Sequence, residues 1–216
     1  MAVNIDQYKA LLAALNSKTI LVAVSKTKPA EDIQALYDLG QRDFGENYVQ
    51  ELVDKEAVLP KDINWHFIGH LQSNKVKAIA PFVHLIHGVD SIGLLKEIDK
   101  QAAKNNRVID CLLQMHIAME ETKFGLDAAE LSQIMSDTTA FKNVRLTGLM
   151  GMASFTTDKD LVRTEFKQLR ELFKTAPQFS TLSMGMSGDF KIAEEEGSNM
   201  VRIGSLLFGE RNYKPS

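Results

Sequence analysis

The chain has 216 residues, 44% of them hydrophobic and 25% charged, an ordinary composition for a globular protein with a substantial core. A formal net charge of −3 supplies no attraction to nucleic acid or an anionic membrane, and no apolar run approaches the ~20 residues of a membrane span. The single cysteine, Cys111, sits in an apolar run, which excludes an intrachain disulfide or a CxxC metal site and fits a reducing, cytoplasmic setting without a signal peptide.

An amphipathic stretch with Tyr8, Leu11, Leu12 and Leu15 predicts a helix within residues 1–18. The run Ile20-Leu21-Val22-Ala23-Val24 then predicts a buried strand over 20–26, and Pro29 before Ala30-Glu31-Asp32 predicts a helix start. Further strands are predicted over 43–46, 64–69, 85–90, 109–117, 145–153, 181–186 and 200–204. Helical patterns fall over 30–39, 48–58, 72–82, 92–105, 127–137, 159–175 and 189–196. The pattern at 159–175 places Phe166, Leu169, Leu172 and Phe173 at three- and four-residue steps, and Asp158 can cap it. Gly40 and Gly197 suit helix ends. No linker, repeat or low-complexity tract interrupts the alternation, so one domain over 1–216 is expected, with a barrel over 19–211.

Eight strands alternating with helices fit a closed (β/α)8 TIM barrel or an open doubly wound sheet. The open sheet usually carries a glycine-rich loop after its first strand. Here that loop reads Ser25-Lys26-Thr27-Lys28-Pro29, which favours the barrel.

In a barrel, ligands bind at the C-terminal strand ends. The first strand delivers Lys26 there, and a lysine in a partly dry site loses proton affinity and can attack an aldehyde. Lys28 is in register with it, although its place beside Pro29 and farther from the barrel favours Lys26. The loops after the seventh and eighth strands often cradle a phosphate. They hold Ser187 and Ser205 as hydroxyl donors, Gly188 and Gly204 for close backbone approach, and Arg202 as a permanent cation. In a closed barrel the eighth strand neighbours the first, so an aldehyde anchor and a phosphate cradle fall within one cofactor's length.

Structural readings stand beside these. Gly185 and Gly204 also suit plain strand ends, His66 suits a hydrogen-bonded place inside the barrel, and Met150 and Met152 suit core positions. Asn74 and Lys75 suit a solvated helix start.

The segments Val24-Ser25-Lys26-Thr27-Lys28-Pro29, Phe44-Gly45-Glu46-Asn47-Tyr48-Val49-Gln50-Glu51 and Trp65-His66-Phe67-Ile68-Gly69 occur in that order. Leu71-Gln72-Ser73-Asn74-Lys75, Gly148-Leu149-Met150, Met184-Gly185-Met186-Ser187 and Met200-Val201-Arg202-Ile203-Gly204 follow. Together, over residues 24–211, they resemble the pyridoxal phosphate (PLP) homeostasis proteins, small PLP-binding barrels related to the N-terminal domain of alanine racemase. The resemblance implies that Lys26 forms the Schiff base and that Ser187, Gly204 and Ser205 hold the phosphate. It also implies that Arg202 faces the pyridine nitrogen and that Asn47 and Met152 line the ring. Two positions depart from the family pattern. Ser205 replaces a usual threonine and keeps the hydroxyl, while His116 replaces a common asparagine and alters the hydrogen bonding expected beneath the ring.

An arginine at the pyridine nitrogen makes the ring a weak electron sink. The chain stops soon after the eighth strand, so the second domain that completes alanine racemase is expected to be absent. The expectation is therefore a monomeric PLP carrier with no catalytic residues and no metal, meeting PLP-dependent apo-enzymes transiently. A low-activity amino-acid racemase is the enzyme alternative. A barrel binding another phosphorylated metabolite through Lys26 is the third. In the loop after the fifth strand, Lys123 is a candidate second PLP lysine on the exit route.

Overall fold

The computed structural model describes residues 3–120 and 124–209. Eight parallel strands close into a barrel in sequence order: β1 (Ile20–Val24), β2 (Asp43–Glu46), β3 (Asn64–Phe67), β4 (Leu85–Val89), β5 (Ile109–Gln114), β6 (Val144–Met150), β7 (Thr181–Ser183) and β8 (Met200–Ile203). Closure is made by β8 against β1, with Val22 opposite Arg202 and Ala23 opposite Ile203. The period-2 alternation of a strand separates two cores. Val22, Leu85, Leu112, Met150 and Met200 pack inside the barrel. Ala23, Phe44, Trp65 and Ile86 join the larger core beneath the surrounding helices.

The helices are α1 (Ile5–Ala14), α2 (Ala30–Asp38), α3 (Val49–Val58), α4 (Val76–Ile79), α5 (Ile92–Lys104), α6 (Ala128–Ser136), α7 (Lys159–Lys174), α8 (Phe190–Glu195) and α9 (Ser205–Phe208). Their starts follow capping chemistry. Asp158 accepts N–H bonds from Asp160 and Leu161 at the head of α7, and Asp127 forms a reciprocal capping box with Glu130 at α6.

The differences from expectation have local causes. The predicted third strand stops at Phe67, which pairs with Glu46, the last residue of β2, and beyond it Gly69 passes so near Asn47 that a Cβ there would lie 2.4 Å from its carbonyl oxygen. The seventh stops at Ser183, where the chain turns through Gly185 at φ +97°. The stretch 72–82 splits into a 3₁₀ turn, Ser73–Lys75, and α4. Helix α9 was not expected, since four residues are too few to show a period. It receives the N-terminal segment, with Asn4 N–H donating to Leu207 O at 3.0 Å.

Candidate functional site

A cavity of about 820 Å³ opens at the C-terminal end of the barrel. Lys26, Asn47, Met152, Ser187, Arg202, Gly204 and Ser205, which come from the ends of five strands, all line it.

The loop carrying Lys26 is held from below by buried charge. Ser25 Oγ donates to Glu46 Oε1 at 2.7 Å, and Lys55 Nζ donates to Ser25 O at 2.8 Å and to Glu46 Oε1 at 2.7 Å. Lys55 also reaches Glu51, whose Oε1 accepts the Thr27 N–H at 2.6 Å. These bonds hold Thr27 at φ +62°, a backbone region that disfavours a β-branched residue. Burial pushes the Glu46 carboxyl up to about 7, against the opposing pull of Lys55 and Ser25. Its Oε2 is buried with no hydrogen-bond partner. Lys28 also reaches the cavity, but its Nζ donates to the Phe208 carbonyl at 2.7 Å.

On the adjoining strand β8, Arg202 is buried. Its Nη1 donates to Ser183 Oγ at 2.6 Å and Ser183 O at 2.9 Å, and Nη2 donates to Gly151 O at 3.0 Å. Burial lowers its pKa to about 10, so it remains a cation at neutral pH. Beneath it Ser183 Oγ lies 3.1 Å from His87 Nδ1, His87 Nε2 lies 2.9 Å from His66 Nδ1, and His66 Nε2 lies 3.0 Å from Asp43 Oδ1. His66 is thus a hydrogen-bonded interior histidine, as its alternation with Ile68 suggests. Met150 is inner core, whereas Met152 faces the cavity.

The cradle residues have donors to spare. Among the described residues, the hydroxyls and backbone N–H groups of Ser187 and Ser205 and the N–H of Gly188 make no hydrogen bond within the chain. A Cβ on Gly188 would meet nothing within 4 Å, so its backbone is open to a ligand. Gly204 is tighter, with a Cβ there only 3.1 Å from Val24 O. Asn47 presents a buried Oδ1 without a partner.

His116 corrects an expectation. The fifth strand ends at Gln114, not 117, and the His116 ring bonds the Glu120 carbonyl at 3.0 Å instead of lining the cavity. Lys123 lies outside the described residues. Sequence reasoning missed Lys55, whose i,i+4 spacing from Glu51 was visible but whose burial was not. It also missed Lys159 and Asp189 on the cavity wall.

A closed parallel barrel with a lysine after its first strand and a donor-rich cradle after its last two is of the alanine racemase N-terminal type, and that family model matches residues 1–212. The pyridoxal phosphate homeostasis protein of Aquifex aeolicus (strain VF5) is 44% identical over 199 residues, covering 89% of this chain and 87% of that one. Its namesake in Escherichia coli (strain K12) is 39% identical over 204 residues, covering 89% and 86%. The chain belongs to the pyridoxal phosphate homeostasis protein family. PipY of Synechococcus elongatus PCC7942, solved with PLP bound, superposes with a TM-score of 0.86 at 36% identity, covering 94% of this chain and 99% of that one. Alanine racemase from Bartonella henselae, at 18% identity and a TM-score of 0.72, covers 95% of this chain and 59% of its own, and shares the fold.

Proposed function

We propose that this chain binds pyridoxal 5′-phosphate in the barrel-mouth cavity and holds it for release, buffering the cofactor without catalytic turnover. The observation that carries the reading is one wall bearing Lys26 and an adjoining wall bearing the unpaired donors of Ser187, Gly188 and Ser205. The orphaned Oδ1 of Asn47 on the same cavity fits a ligand that brings its own donor. When bound, the cofactor supplies an aldehyde that a lysine amine can hold reversibly. Lys26 would hold that carbonyl, Ser187, Gly204 and Ser205 the phosphate, Arg202 the pyridine nitrogen, and Asn47 and Met152 the ring. Arg202 is locked by three hydrogen bonds and stays charged, so it offers the ring nitrogen a fixed cation and does not hand it a proton. That arrangement favours holding over carbanion chemistry.

The protein is proposed to act as a cytoplasmic monomer that meets apo-enzymes transiently. Among the described residues no helix is long and apolar enough to cross a membrane. Lys123 is proposed as an outward relay, and Lys123→Ala is expected to slow transfer to an apo-enzyme while leaving the main absorbance band unchanged. The reading is tested by the spectrum of PLP-loaded protein before and after borohydride, which is expected to lose a near-visible band and gain a covalent label. An unchanged spectrum overturns it. Exchange of amino-acid α-hydrogen in deuterated water at enzymatic rates would establish the racemase alternative.

A further inference from the structure

We propose that Asp43, His66 and His84 form a binding site for a zinc-type divalent cation at the N-terminal end of the barrel, opposite the cavity. Asp43 is the first residue of β2, His66 the third of β3, and His84 immediately precedes β4. The parallel register sets Asp43 against Asn64, Gly45 against His66, and His66 against Leu85, so residues far apart in sequence meet at one rim. Their ligand-capable atoms lie within 4.8 Å of one another.

Two imidazoles and a carboxylate are a donor set for zinc-like ions and not for magnesium or calcium, which take oxygen ligands. Bonds of 2.0–2.1 Å in a tetrahedral site separate neighbouring ligand atoms by roughly 3.3 Å. The His66 Nε2 to Asp43 Oδ1 distance of 3.0 Å therefore needs only a slight spread. Exposed His84 gives the ion an entry path, and its ring makes no hydrogen bond among the described residues. His66 is 1% exposed and anchors the site. Around it Asp110 adds negative charge near His84, while Arg107 opposes the ion. The remaining His66 nitrogen already has the outer hydrogen bond that a metal-bound histidine requires, to His87 at 2.9 Å.

That outer bond connects the site to the cavity. A guanidinium only donates and a carboxylate only accepts, so the chain runs in one sense. Arg202 donates to Ser183 Oγ, Ser183 O–H to His87 Nδ1, His87 Nε2–H to His66 Nδ1, and His66 Nε2–H to Asp43. For a cation to bind His66 Nε2, the proton there must move to Nδ1, which frees the Nε2 lone pair for the ion. His87 must then accept at Nε2 and carry its own proton on Nδ1, pointing at Ser183. Each ring keeps one proton, and no net charge is lost along the chain. Ion occupancy thereby reverses the hydrogen bonds as far as the hydroxyl that holds Arg202.

The test titrates Zn²⁺ alone into the whole chain without PLP, so its outcome is independent of the cofactor reading. Calorimetry is expected to give one ion per chain, with affinity falling roughly tenfold or more in His84→Ala and in Asp43→Asn. Ring ¹⁵N spectra of His66 and His87 are expected to change from the Nε2–H to the Nδ1–H tautomer at saturation. Absence of binding, an affinity in both variants equal to that of the unsubstituted chain, or unmoved tautomers in the zinc-loaded protein overturns the proposal.

Discussion

Lys28 Nζ donates a 2.7 Å hydrogen bond to the carbonyl of Phe208, so the loop after β1 is tied to the short helix after β8. The bond gives the two cavity lysines different tasks. Lys28 closes the seam between first and last strand ends, while the Lys26 loop rests on Ser25, Glu46 and Lys55. Borohydride trapping is therefore expected to label Lys26. Lys26→Ala should abolish the near-visible band with the fold intact, and Lys28→Ala should retain it. A label found mainly on Lys28 by mass spectrometry would reverse the assignment.

The unpaired donors of Ser187 and Ser205 are expected to serve the phosphate. Ser187→Ala or Ser205→Ala should weaken PLP binding by about 1.5–3 kcal/mol each, the range for a hydrogen bond to a charged group. Unphosphorylated pyridoxal should bind almost as before. Equal losses for both ligands, measured by absorbance titration, would place the phosphate elsewhere.

Two buried groups pull the pH dependence of stability in opposite directions. Glu46 has a folded pKa raised from 4.5 to about 7 by burial, so between those values the folded state holds a proton that the unfolded state has released. Its contribution to stability falls as pH rises through that window, by up to roughly 1.4 kcal/mol per pH unit. His87 is pushed well below 6.5 chiefly by burial, with the Arg202 cation adding to it, so below 6.5 its contribution falls as pH falls. The whole-protein profile sums the two, and only variants separate them. The stability difference between wild type and Glu46→Gln, from urea unfolding, should favour wild type more at pH 5 than at pH 7. A pH-independent difference would show that Glu46 is ionised throughout.

Ser183 is the hinge of the interior chain. Ser183→Ala removes a hydroxyl that accepts from Arg202 and donates to His87, leaving a buried ring nitrogen without its partner. The expected cost is about 1–3 kcal/mol of stability. A loss of a few tenths in chemical denaturation would mean that the chain is already interrupted in solution.

Cys111 is fully buried in β5, and burial raises its thiol pKa far above the ordinary value. Native protein should leave it unmodified by thiol reagents that label it readily in urea. Rapid labelling without denaturant would contradict the packing around β5.

Much of the site was legible because the fold type dictates placement. Alternating strands and helices bring every strand C-terminus to one rim, so Lys26, Ser187, Arg202, Gly204 and Ser205 could be assigned to one cavity from their order, while Asn47 and Met152 were implied by the family resemblance. His116 failed that logic because β5 ends two residues before it, and its backbone turns to pair with Leu126.

The sequence by itself determined the element order and the side of the barrel on which chemistry would gather, since hydrophobic period and strand ends are local properties. It could not show that Lys55 is buried against Glu46, that Arg202 is linked through Ser183, His87 and His66 to Asp43, or that His84 stands beside that carboxylate. Those are distances between strands and helices far apart in the chain. Only barrel closure and strand register set them, because which interior side chains share a layer depends on how each strand is staggered against the next.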